Sequence, residues 1–286
     1  MKQILKKLLV STDGSAYSQV CCNYAVWIAE RVGFSIDFLY LTDLRQFEMP
    51  IAADLSGSLG VHTPPQIIME NIQKEERCKA SSIEKKTREF FYKKGFRNVI
   101  QFYHRNGLLS DCLKDFEKEA ELVLLGKRGE NANYATTDLG SNMERVVRVS
   151  TKPILTTPRK FIPITKIVLA FDGGKSCLNA IRFLCENVAF SDQELHVITI
   201  SENEDDKSAF ENMDQAKSIV ADRKGGNVFK ILYGNTEDQI ARYVDSKEIN
   251  LLVLGIRNHN LLHNVFFGNT TTILIRACRI PVLCFP

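Results

Sequence analysis

Short apolar runs alternate with stretches in which apolar residues recur every three or four positions, and this alternation is kept along the whole chain. LLVST (8–12) reads as a strand. Tyr17, Val20, Cys21, Tyr24, Ala25, Ile28 and Val32 then mark one face of a helix, and FLYL (38–41) forms a second strand. A charged helix over about 66–95 leads to a third strand in NVIQFYH (98–104). LLSDCLKDFEKEA (108–120) predicts another helix, and ELVLLG (121–126) a fourth strand. KIVLAF, ELHVITI, NVFKILY, LLVLG and PVLCF repeat the order in the second half. Near-continuous apolar strands separated by helices predict a parallel sheet covered on both faces.

The chain also repeats itself in detail. KKLLVSTDGSAYS (6–18) matches TKIVLAFDGGKSC (165–177), with Asp13 over Asp172. SIDFLYLT (35–42) falls over ELHVITIS (194–201), ELVLLGKRG (121–129) over NLLVLGIRN (250–258), and STKPILTTP (150–158) over CRIPVLCFP (278–286). The first half carries extra residues, chiefly in 44–66, whose Pro, Gly and Ser content predicts a long loop. Two copies of one domain, 1–158 and 163–286, joined near PRKFIP, are expected. Right-handed crossovers then make each a five-stranded, doubly wound α/β unit of Rossmann-like type.

Composition narrows the class. With 44% hydrophobic and 25% charged residues the chain is that of a folded domain. A net charge of +3 gives no general reason to bind nucleic acid or a membrane surface, and no apolar run approaches a membrane span. The first residues read as a strand, not a signal peptide. Eight cysteines without a C-x-x-C pair read as buried small hydrophobes in a reducing cytoplasm.

Ligands of open parallel sheets bind at the carboxyl ends of the strands, where the strand order reverses. Two loops of each copy lie there. After strand one comes Thr12-Asp13-Gly14-Ser15. Ser15 reads as a helix cap and Asp13 either as a turn former or as an acceptor for a ribose hydroxyl or an adenine amine. After strand four comes LGKRGENANYATTDLGSN (125–142). Gly126 ends the strand, Gly129 permits close backbone approach, and Gly140-Ser141-Asn142 opens a helix whose N–H groups favour phosphate. The loop is not a Walker A motif, and no G-x-G-x-x-G follows strand one. His259 and His263, four residues apart, read as solvated side chains rather than metal ligands, and the helix over 70–95 as a solvated face.

Asp13, Gly126-x-x-Gly129 and Gly140-Ser141 together resemble the universal stress proteins, here in tandem. The nucleotide-binding pattern of that family is G-x-x-G, nine residues, then G-[ST]; ten residues separate Gly129 from Gly140. The resemblance implies that Asp13, with the Thr12 backbone, holds the adenine or ribose end, and that Leu41 lines the adenine. It further implies that Gly126, Arg128 and Gly129 face the phosphates, and that Gly140, Ser141 and Asn142 bind phosphate oxygens. The implied ligand is ATP, with Mg2+ expected beside the triphosphate. In the second copy Asn258 and Asn269 replace the second Gly and the Ser, so a weak or empty site is expected there, with Thr270 as a substitute hydroxyl. The resemblance also implies pairing of PILTT with PVLCF across a pseudo-twofold, a pseudo-dimer within one chain. A homodimer and a regulatory protein partner are further expectations. No catalytic residue is assigned. A nucleotide-binding regulatory protein with at most slow hydrolysis is expected; an adenylating enzyme and a non-binding dimerisation scaffold are the alternatives.

Overall fold

The computed structural model describes residues 6–43, 65–128, 141–256 and 269–286. The first half contains β1 (Lys7–Ser11), α1 (Ala16–Val32), β2 (Ser35–Thr42), α2 (Pro65–Lys93) and β3 (Ile100–Asn106), then α3 (Leu109–Phe116), β4 (Ala120–Gly126), α4 (Ser141–Val149) and β5 (Ile154–Thr157). The second contains β6 (Lys166–Ala170), α5 (Lys175–Glu186), β7 (Glu194–Ser201), α6 (Lys207–Ile219) and β8 (Asn227–Tyr233), then α7 (Thr236–Ser246), β9 (Leu251–Gly255), α8 (Asn269–Ala277) and β10 (Val282–Phe285). Helix α2 starts at Pro65, so the end of the loop expected over 44–66 is helical; Pro at a first helical position costs no hydrogen bond.

All ten strands form one sheet in the order β3-β2-β1-β4-β5-β10-β9-β6-β7-β8. Each half has the order 3-2-1-4-5 with parallel neighbours, and the halves meet through the antiparallel pair β5 and β10, where Leu155 faces Leu283. The apolar runs are explained by cover on both faces. Along β4, Leu122 and Leu124 enter one core while Val123 and Leu125 enter the other. Along β9, Leu251 and Val253 enter the first, and Leu252 and Leu254 the second. Each core runs unbroken across both halves, so the pseudo-dimer shares its interior.

Further contacts bind the halves. The Tyr24 hydroxyl of α1 donates to the carbonyl of Ile162 at 3.1 Å, fixing the connector, and Trp27 lies 5.9 Å from Phe190 between ring centres. All eight cysteines are free thiols; five are buried, Cys112 and Cys185 half-buried and Cys78 exposed. Burial pushes the thiols of Cys21 and Cys284 up to about 12, so they remain protonated and act as small hydrophobes. Among the described residues no helix is long and apolar enough to cross a membrane.

Candidate functional site

In each half the strand order reverses between strands one and four, and the loop after strand one lies between the ends of its neighbours. Thr12 N–H donates to the Leu39 carbonyl at 3.0 Å, which ties that loop to β2, and β1 pairs with β4 on its other side. The ends of β2, β1 and β4 therefore bring Leu41, Thr12, Asp13 and Gly126 to one edge of the sheet.

The Asp13 loop is tightly built. Asp13 Oδ1 accepts from Ser15 N–H at 2.9 Å, and the Ser15 hydroxyl accepts from Ser18 N–H at 3.3 Å as the cap of α1. Both turn-forming readings hold locally. Gly14 sits between them at φ +78°, in the left-handed region, and an added Cβ would lie 3.0 Å from Ile83 of α2. Thus α2 is more than a solvated face. Ala80, Ile83 and Phe91 are buried, and the Glu76 carboxylate accepts from Tyr40 at 2.8 Å and Thr42 at 2.9 Å. The Thr42 hydroxyl also contacts His104 Nε2 at 2.9 Å, and burial lowers the His104 pKa. The alternation of charge along α2 hid these anchors, because Ile83 and Glu76 are isolated positions in a polar sequence.

At the end of β4 the chain turns sharply. A Cβ on Gly126 would lie 2.9 Å from both the Arg128 carbonyl oxygen and Tyr17 Cβ, so only glycine lets this loop fold against the first turn of α1. Arg128, half-buried, is thereby held beside Tyr17. Gly129 and Gly140 lie outside the described residues, as do His259, His263 and Asn258. Ser141 and Asn142 are the first residues of α4, a nine-residue helix.

Lys127 does not join this edge. It is buried, and its ammonium donates to the carbonyls of Cys278 at 2.7 Å and Ile280 at 2.8 Å in the second half. These acceptors follow the end of α8, where the helix dipole is negative. Desolvation still lowers the Lys127 pKa to about 8. Above it lies a cleft of ≈ 560 Å³ between the halves, lined by Tyr17, Arg128, Arg159, Lys160, Arg276 and Arg279 among others. The sequence offered one signal for this cleft, a cluster of basic residues on either side of the two pairing strands.

The second half builds its loops differently. Asp172 Oδ1 accepts from Gly174 N–H at 2.8 Å, two residues on, just as Asp13 accepts from Ser15. Over Gly173, however, the side chain of Asn212 fills the space a Cβ would need and donates to the Asp172 carbonyl at 3.1 Å. The Thr270 hydroxyl donates to Glu237 at 2.5 Å, which turns it toward a carboxylate instead of leaving it for a phosphate. Among the described residues no group of three or more His, Cys, Asp or Glu is placed to hold a metal ion.

The model of the Universal stress protein family matches residues 5–158 and again residues 163–286. The Universal stress protein Slr1230 of Synechocystis sp. is 33% identical over 287 residues, covering 98% of this chain and 100% of that one. Among solved structures, a universal stress protein from Archaeoglobus fulgidus DSM 4304 has a TM-score of 0.67 at 18% identity, covering 99% of this chain and 98% of that one. A functionally unknown protein from Pseudomonas aeruginosa PAO1 has a TM-score of 0.58 at 14% identity, covering 98% and 92%. At these identities the structural likenesses speak for the fold; the sequence match speaks for descent. Two matches to one family model, laid on two 3-2-1-4-5 sheets, make the chain a tandem member of the universal stress protein family.

Proposed function

We propose that the chain is a cytoplasmic regulatory protein that binds ATP in its first repeat, within domains 1–158 and 163–286, and does little or no chemistry on it. The observation that carries this reading is the close packing at Gly126, which holds the Arg128 segment against α1 beside the Asp13 loop. A carboxylate and an arginine then lie at the carboxyl edge, where β1 and β4 part, on the side from which α4 begins. The residues present suit an adenine nucleotide. Asp13 and the Thr12 backbone would take the ribose or adenine end, and Leu41 an apolar edge. Gly126, Arg128, Gly129, Gly140, Ser141 and Asn142 would take the phosphates, with Mg2+ beside them. The groups assigned to the site neutralise and orient charge. Asp13 spends one oxygen on its own turn, and the residues assigned to the site include no histidine and no second carboxylate to act as a base. The fastened loop over Gly173 and the engaged Thr270 support a second repeat that serves mainly as a packing partner.

Acid extraction of the purified protein tests the reading directly. Co-purified ATP, and a rise in Tm on adding ATP to stripped protein, is the expected result. AMP formed only in the presence of a second substrate would favour the adenylating alternative. No nucleotide and no thermal shift would leave the scaffold.

A further inference from the structure

The cleft between the repeats has a composition that its structural role does not require. Six cations line it, namely Lys127, Arg128, Arg159, Lys160, Arg276 and Arg279, and among the described residues no carboxylate is in the lining. Among the described residues Arg159, Lys160 and Arg279 make no hydrogen bond or ion pair, while Arg276 is matched by Glu144 at 2.8 Å. Among the described residues the buried Lys127 ammonium has carbonyl partners but no carboxylate beside it. Cations crowded into a concave site repel one another and raise the local concentration of anions. A polyanion entering the cleft would relieve that repulsion and supply Lys127 with a counter-charge.

The place of the cleft says which anion. Arg128 belongs to the segment after β4, and Tyr17, whose Cβ closes over Gly126, forms part of the same wall. Arg276 of the second repeat reaches Glu144 in the first turn of α4, the helix that opens at Ser141. The cleft thus runs from Arg128, just past the end of β4, into the second repeat, with Arg276 tied to the first turn of α4. We infer that the second repeat completes the first repeat's site: Arg276, Arg279, Arg159 and Lys160 receive the distal phosphates of a nucleoside triphosphate or longer polyphosphate, so that the site distinguishes nucleotides by phosphate number. This inference rests on the proposed nucleotide binding in the first repeat. Guanidinium groups suit it, because each can hold two phosphate oxygens at once.

Calorimetric titration of the full chain with AMP, ADP, ATP and inorganic tripolyphosphate tests it, beside the variant carrying Arg279→Gln and Lys160→Gln. Both residues are exposed, so the fold is expected to survive. The wild type should bind ATP at least about ten-fold more tightly than AMP. The double variant should lose about ten-fold for ATP while AMP changes by less than about two-fold. Equal affinity for AMP and ATP in the wild type overturns the inference and leaves nucleotide binding standing, as does an equal loss of both in the variant. Binding of a poly-Glu peptide to the cleft without any difference between ATP and AMP also overturns it, in favour of a protein partner. No binding of AMP or ATP overturns the nucleotide reading itself and, with it, the assignment of the distal phosphates.

Discussion

The ammonium of Lys127 in the first repeat lies 2.7 Å from the carbonyl oxygen of Cys278 in the second, buried at the foot of the cleft between them. Burial lowers its pKa from 10.5 to about 8. The unfolded chain therefore holds this proton more tightly than the native one. Below pH 8 the lysine is charged in both states and the burial cost is felt in full; between about pH 8 and 10.5 the native state sheds the proton first, and stability rises with pH. The shift corresponds to about 3 kcal/mol. Other buried groups titrate nearby, so the measurement is a difference. The stability of Lys127→Met minus that of the wild type, by urea unfolding, should fall by about 3 kcal/mol between pH 7 and pH 10.5. A difference that stays flat with pH would mean that the buried ammonium is not desolvated.

Gly14 and Gly126 should fail for different reasons. Gly14→Ala meets a positive φ and the flexible side chain of Ile83, so a stability loss of about 1–2 kcal/mol is expected. Gly126→Ala meets backbone and a Cβ at 2.9 Å, and neither can turn away. The strand end must shift, at about 1–3 kcal/mol, moving Arg128 with it. ATP affinity should then fall more for Gly126→Ala than for Gly14→Ala, read by titration calorimetry at a temperature where both variants are folded. The reverse order would put the nucleotide nearer to α2 than to β4.

The paired aspartates separate the two repeats. Asp13→Ala and Asp172→Ala each remove an acceptor for a turn N–H, and each should cost about 1 kcal/mol of stability. Only Asp13→Ala should weaken ATP, by about ten-fold for a lost charged hydrogen bond. Equal losses of affinity would show that the second repeat binds nucleotide despite Asn212.

The sheet is open to reading because its inner strands are buried on both faces. Runs such as LVLL and LLVL have no other stable home, and the Asp13 and Asp172 turns stand at matching places in the repeat. The site was legible only as far as backbone chemistry is local. Gly126 is legible as the end of β4, yet its need for Tyr17 as a neighbour comes from packing across the sheet edge. Glu76 and Ile83 were hidden in a charged helix, since one isolated apolar residue carries no periodic signal. Nothing local in the sequence marks Lys127 as buried. Its true neighbours, Cys278 and Ile280, lie more than 150 residues away, and only the antiparallel meeting of β5 and β10 brings them together.

That meeting also decides how the chain unfolds. Trp27, the single tryptophan, is buried against Phe190 of the other repeat with the Arg31 guanidinium 4.0 Å from its ring. Its fluorescence therefore reports on the junction of the halves, while far-ultraviolet circular dichroism reports on both halves together. Because each core runs through the junction, the two signals should change at the same urea concentration for the wild type. Leu283→Ala, a fully buried truncation facing Leu155 in the β5–β10 pair, should cost about 2–5 kcal/mol and move both signals together. A fluorescence change that comes earlier than the loss of helix would show that the repeats part before they unfold, and that the shared sheet is a docking of two independent domains.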